Sequence, residues 1–110
     1  MTFSIVGRSA DGHQMGVALA SKFLAAGAYV PAAAAGAGAL ATQARCNLEL
    51  RTQGLEMLAG GRSAAQALEE FFARDPHRDE RQAGMVDGRG GVATFTGDRC
   101  QPWAGGVAPA

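Results

Sequence analysis

The sequence predicts an α+β fold in which antiparallel β-hairpins pack against an αα-hairpin. Three observations predict it. Apolar and polar residues alternate over 2–9 and again over 15–23, on either side of an Asp-Gly turn signal. Apolar residues then recur at helical spacing through 47–61 and 63–76. A second alternating stretch, residues 82–97, surrounds the glycine-rich run "DGRGG". Helices gathered on one side of antiparallel sheet define a layered α+β architecture. One sheet face is left bare, which calls for further chain or a partner.

The elements follow in order. "TFSIVGRS" forms the first strand and "MGVALASKF" the second, joined through "ADGHQ". Small residues on both strands let a second layer approach closely. "AYVPAAAAGAGALATQA" is ambiguous: its alanines favour helix, while Pro31, Gly36 and Gly38 interrupt one. Two short strands, near 28–35 and 38–44, fit better. "NLELRTQGLEMLAGG" is helical, with Leu48, Leu55 and Leu58 on one face, Asn47 as N-cap and Gly60-Gly61 as the stop. Ser63 caps the next helix, whose apolar face comprises Ala64, Ala67, Leu68, Phe71 and Phe72, and Pro76 ends it. "HRDERQ" is a charged connector in which Arg81 and Asp79 are candidate ion-pair partners.

Composition narrows the function. The 110 residues suffice for one small domain, and a 47% hydrophobic content supports a folded core. Ten basic and ten acidic residues give zero formal net charge. That removes the electrostatic case for nucleic acid or an anionic membrane, and it leaves little repulsion against self-association, so a homo-oligomer is expected. The Ala/Gly-rich tract 23–41 is broken by Pro31 and reads as close-packed structure rather than a membrane span. No basic segment leads into an apolar one at the start, and the expected location is cytoplasmic. Cys46 and Cys100 form no CxxC pair, and neither His13 nor His77 sits in a metal-ligand spacing. No metal and no cofactor are expected.

Three features could carry chemistry, and each has a plain structural reading beside the chemical one. Thr2 would become the first residue on loss of Met1, and its hydroxyl could then be activated by its own α-amine, whose ordinary pKa is about 8. Alternatively, Thr2 only starts a strand. Lys22, the single lysine, falls near the end of the second strand, where it could tune that amine or steady an oxyanion, or simply mark a sheet edge. Thr42, Gln43 and Asn47 place hydroxyl and amide groups at a strand-to-helix junction, suited to an oxyanion hole or a substrate amide. Asn47 as a cap and Gln43 as a local backbone partner is the competing account. Cys46 reads as an inert thiol, and Trp103 as a large apolar group lining a pocket or interface.

Together, "MTFSIVGRSADGHQMGVALASKFLAAG", "ATQARCN", "GLEMLAGGRSAAQAL" and "DPHRDERQAGMVDGRGGVATFTGDRCQPWAG" resemble the DUF1028 family in order and spacing across nearly the whole chain. The resemblance implies a partial αββα sandwich of the N-terminal-nucleophile (Ntn) hydrolase type. Residues 1–110 would be a single such domain, shortened at its C-terminal end, because family members run to about twice this length. It further implies a hydrolase of an amide or related bond in a small-molecule substrate, with Thr2 and Lys22 catalytic. Thr42, Gln43 and Asn47 would be oxyanion or substrate contacts. At Gly105, in "WAGG", the family pattern has histidine. The competing expectation is a non-catalytic assembly or binding module that pairs with itself or with a partner supplying the missing half.

Overall fold

A computed structural model describes residues 1–109. β1 (Thr2–Arg8) and β2 (Met15–Ser21) form a two-stranded antiparallel sheet. β3 (Pro31–Ala34), β4 (Gly38–Ala44), β5 (Arg81–Asp87) and β6 (Val92–Thr96) form a four-stranded antiparallel sheet in that order. Helices α1 (Glu49–Ala59) and α2 (Ala64–Ala73) connect β4 to β5. The fold is therefore α+β, with antiparallel sheets and two helices. No described helix is long and apolar enough to cross a membrane.

The four-stranded sheet lies between the helices and the β1–β2 hairpin. Alternation along β4 makes this possible: Leu40 belongs to the core under the helices, while Ala41 belongs to a smaller core with Val6, Val17 and Leu19. Residues Gly38 to Gln43 are consequently all buried, each against one layer or the other. The helix-side core joins Leu40 and Met85 of the sheet to Leu50, Leu58, Leu68, Phe71 and Phe72. Phe72 also stacks on Phe95 of β6 at 4.2 Å between ring centroids.

Local chemistry sets the element ends. Pro31, which has no N–H to give, starts β3, an edge strand where that loss costs least. Gly36 turns the chain between β3 and β4 at φ +75°, a conformation side chains resist. Ser63 and Gln66 form a reciprocal capping box at the head of α2.

Several sequence expectations are corrected in detail. β2 stops at Ser21 rather than residue 23, because the Ser21 hydroxyl accepts the Phe23 N–H and turns the chain. The strand expected near 28–35 is shorter, since residues Ala26–Ala28 form a 3-10 turn and pairing begins at Pro31. Leu48, not Asn47, occupies the N-cap position of α1, although the Asn47 side chain does accept the Glu49 N–H at 3.1 Å. Arg81 pairs with Asp75 instead of Asp79: Nε lies 2.9 Å from Oδ2, with both side chains nearly buried. Asp79 lies in a 3-10 turn, Arg78–Glu80, and its backbone carbonyl receives the Arg99 N–H.

Candidate functional site

The hairpin meets the four-stranded sheet through one face. Thr2 and Val6 of β1 and Val17, Leu19 and Ser21 of β2 are half-buried on the inner side, where the more exposed Ser4 also lies, whereas Phe3, Ile5, Ala18 and Ala20 are exposed on the other. Val6, Val17 and Leu19 supply apolar contact in the middle. At the Thr2 end the interface is polar.

The antiparallel register sets Thr2 opposite Ser21, and their hydroxyl oxygens are 3.0 Å apart. Ser21 Oγ also donates to the Met1 carbonyl at 3.1 Å and accepts the Phe23 N–H at 3.0 Å. A serine hydroxyl has one proton. With that proton on Met1, the bond to Thr2 must run from the Thr2 hydroxyl to Ser21. The Thr2 hydroxyl is then the donor of this pair while Met1 is present.

Gln43 ties this end of the hairpin to the sheet. Its Oε1 accepts the Ser4 hydroxyl, while Nε2 donates to the Thr2 carbonyl at 3.2 Å and to Gln82 Oε1 at 2.8 Å. Gln82 Nε2 in turn donates to Thr96 Oγ1 at 3.1 Å and to the Gly105 carbonyl at 3.0 Å. Two carboxamides in series therefore link Thr2 to the segment carrying Gly105. The far end of the hairpin is pinned by Arg8, whose Nε donates to the Gly88 carbonyl at 3.1 Å.

Of the residues singled out in the sequence, Thr2 and Gln43 come together here. Thr42, adjacent to Gln43 on the strand, points to the opposite face and is fully buried. Its hydroxyl accepts the Asn47 N–H at 3.2 Å. Asn47 Nδ2 donates to Asp75 Oδ2 at 3.0 Å. Thr42 and Asn47 thus belong to the junction behind β4, where Asp75 also receives Arg81 and the His77 N–H. Burial alone would raise the Asp75 pKa, but hydrogen bonds from Asn47, Arg81 and His77, with the Arg81 charge, outweigh it and hold the carboxyl below its ordinary range. Lys22 is exposed and takes part in no hydrogen bond or ion pair among the described residues. Burial pushes the Cys46 thiol up, and the thiol donates to the Thr42 carbonyl, so it is held protonated. Trp103 is fully exposed. Among the described residues no cluster of three or more His, Cys, Asp or Glu side chains could hold a metal ion.

Sequence reasoning missed Ser21 and Gln82. Ser21 was accessible by counting register outward from the Asp11-Gly12 turn. Gln82 becomes meaningful only once β4 and β5 are known to pair Gln43 with it.

The arrangement is a short strand with Thr2 at its head, held through its inner face on the four-stranded sheet, and comparison with known proteins places the chain in a family. A family model described as a family of unknown function, DUF1028, matches residues 2–110. The chain belongs to this family. A crystal structure of a DUF1028 protein from Silicibacter pomeroyi superimposes with a TM-score of 0.93 at 30% sequence identity, over 99% of this chain. The match covers 51% of the Silicibacter chain, so the chain spans about half the length of that relative. No curated protein matches.

Proposed function

We propose that the chain is the nucleophile-bearing part of an Ntn-type hydrolase acting on an amide or related bond of a small-molecule substrate. The observation that carries this reading is the setting of Thr2. It stands at the head of β1, its hydroxyl oxygen lies 3.0 Å from that of Ser21, and its carbonyl is held by Gln43. A fixed backbone and a hydroxyl with a second hydroxyl within proton-transfer reach are what a nucleophile on a strand end requires.

Removal of Met1 would expose the Thr2 α-amine and take away the carbonyl that now receives the Ser21 proton. The amine, bonded to that carbonyl's carbon in the intact chain, then stands beside the Ser21 hydroxyl. In the acylation step Thr2 Oγ bonds to the substrate carbonyl carbon as its proton passes to the α-amine, directly or through Ser21. Collapse of the tetrahedral adduct breaks the C–N bond, and the ammonium returns the proton to the departing amine. Water then attacks the Thr2 ester with the α-amine as base, releasing the acid and restoring the hydroxyl. Gln43, with both Nε2 protons engaged, acts as a positioning residue. Lys22, next to Ser21 in sequence, supplies a cation at this end of the hairpin for developing negative charge.

The test is hydrolysis of a panel of small chromogenic anilides by the Met1-free protein. Thr2→Ala should lower any activity found by at least about a thousandfold, and Thr2→Ser should retain part of it. Equal rates for wild type and Thr2→Ala would remove Thr2 from the chemistry.

A further inference from the structure

The segment between β2 and β3 has a fixed backbone and open side chains. Ala26 and Val30 are buried in the smaller core. The Tyr29 and Val30 N–H groups both donate to the Ala26 carbonyl, the Val30 carbonyl accepts the Thr42 N–H at 2.9 Å, and Arg51 Nη1 donates to the Ala28 carbonyl at 2.7 Å. Ala25 is held in the left-handed region, at φ 57° and ψ 33°, which a residue with a Cβ enters only where its surroundings impose it. On this pinned turn Phe23 and Tyr29 meet edge to face, 5.6 Å between ring centroids at 62°. The two rings are nonetheless 56% and 41% exposed.

Both aromatic residues stand at the Thr2 end of the molecule. Ser21 Oγ, 3.0 Å from Thr2 Oγ, accepts the Phe23 N–H at 3.0 Å, so the Phe23 backbone starts within about 6 Å of the Thr2 hydroxyl. Tyr29 precedes Val30, whose carbonyl is bonded to Thr42, and the next residue, Gln43, holds the Thr2 carbonyl. The pair is thus tied to Thr2 twice, from the hairpin through Ser21 and from the four-stranded sheet through Gln43. Apart from Lys22 no residue of 22–44 is charged, so an apolar group settling on the rings leaves few ions to desolvate.

We propose that Phe23 and Tyr29 form the acyl subsite of the Thr2 centre, and that its occupant is an aromatic ring carried on the acyl side of a small amide. As an acyl subsite the pair rests on the hydrolase reading of Thr2. Two rings inclined at 62° form a corner, in which a third ring can lie at the roughly 4.5–7 Å centroid spacing that aromatic groups prefer. Area selects a small molecule over a protein. At roughly 150–250 Å² per aromatic side chain the two leave about 200 Å² open, against about 800 Å² per partner in a stable protein contact. Lifetime selects the acyl group over the leaving group: the acyl carbon stays bonded to Thr2 Oγ between the two steps, whereas the amine departs after the first. Phe23 and Tyr29 are accordingly specificity-determining residues, which bind the acyl group and take no part in proton transfer.

Tyr29 is the single tyrosine, so its ring signals report the subsite directly in a nuclear magnetic resonance titration. Phenylacetamide added to the Met1-free chain should shift them saturably, while acetamide at the same concentration should not. Phe23→Ala should weaken phenylacetamide binding at least about fivefold and, because the side chain is more than half exposed, keep the melting temperature within about 3 °C. Phe23→Leu, which also removes the aromatic contact, serves if the alanine variant does not fold. Tyr29 signals that do not move, or shifts that neither variant weakens, would overturn the subsite. So would a chain that sediments as a dimer and dissociates on Phe23→Ala, because the rings would then face a second copy. Acylation by two β-lactones, one with phenyl and one with methyl beside the carbonyl, separates these failures from failure of the Thr2 reading. Thr2 Oγ bonds to the lactone carbonyl carbon, the ring C–O bond breaks, and the Thr2 proton ends on the released hydroxyl. The phenyl-to-methyl rate ratio at Thr2 should fall at least about fivefold in Phe23→Ala, a comparison in which the lactones' own reactivities cancel. Labelling of Thr2 with an unchanged ratio discards the subsite and keeps the nucleophile. Saturable binding at Tyr29 without labelling of Thr2 overturns both the acyl role and the hydrolase reading.

Discussion

Gln43→Leu removes the polar clamp between the hairpin and the sheet while nearly conserving side-chain volume. Three hydrogen bonds disappear: the Ser4 hydroxyl loses its acceptor, the Thr2 carbonyl its donor, and Gln82 Oε1 its donor. An ordinary hydrogen bond nets about 1 kcal/mol, and a buried group left unpaired costs about 1–3 kcal/mol. Thr2 and Ser4 lie partly open, Ser4 more so than Thr2, so water recovers some of the loss. The net destabilisation should be about 2 kcal/mol, or a fall of roughly 10 °C in melting temperature for a domain of this size. Urea denaturation measures the total, and hydrogen exchange locates it. The β1 amides should exchange faster, while those of α1 and α2 follow only the global change. Thr42→Val is the control on the adjacent residue, since it disturbs the junction behind β4 and should leave β1 exchange at the global rate. A loss below about 0.5 kcal/mol with unchanged β1 exchange would refute the clamp.

The remaining predictions concern the scaffold. Phe72→Ala should destabilise by about 4 kcal/mol, because Phe72 is almost fully buried and stacked on Phe95; calorimetry would show it. Ser63→Ala should cost about 1 kcal/mol in denaturation experiments, by opening the α2 capping box and leaving the Gln66 N–H unpaired. Asp75 and Asp87 should make the fold acid-labile. Burial raises both carboxyls, but the hydrogen bonds they accept outweigh it and depress each below its ordinary 3.8. The unfolded chain then binds more protons below that value. Stability from these groups is complete above about pH 5 and is lost as pH falls through 4 toward the depressed folded values. Asp75→Asn should flatten this fall in pH-dependent denaturation, at the cost of lower stability at neutral pH.

The hairpins and helices were legible because their signals are local. The Asp11-Gly12 turn, the Ser63 cap and the apolar face through Phe71 and Phe72 each depend on a few neighbouring residues. The run 28–44 was ambiguous, although the two strands expected there are present and the second has the expected bounds, because β4 is covered on both faces, which erases the apolar–polar alternation and leaves alanines and glycines that also fit helix. The Arg81–Asp75 pair was missed for a related reason. Asp75 ends α2 and Arg81 starts β5, so the partnership is set by the meeting of the two elements rather than by spacing along the chain. At the candidate site, the placement of Thr2 at a strand head opposite the end of the second strand could be read from the hairpin register. Thr42 and Gln43 looked like one pair of donors in sequence, yet a strand sends adjacent side chains to opposite faces, and only Gln43 reaches Thr2.

The most direct measurement is acylation of the Met1-free protein with a small β-lactone, an electrophile that opens on a nucleophilic hydroxyl, followed by peptide mass mapping. The account predicts a single stoichiometric adduct on the N-terminal peptide at Thr2, slower in the chain that keeps Met1 and absent in Thr2→Ala. Labelling elsewhere, or equal labelling with and without Met1, would contradict the assignment of Thr2 as a nucleophile activated by its own α-amine.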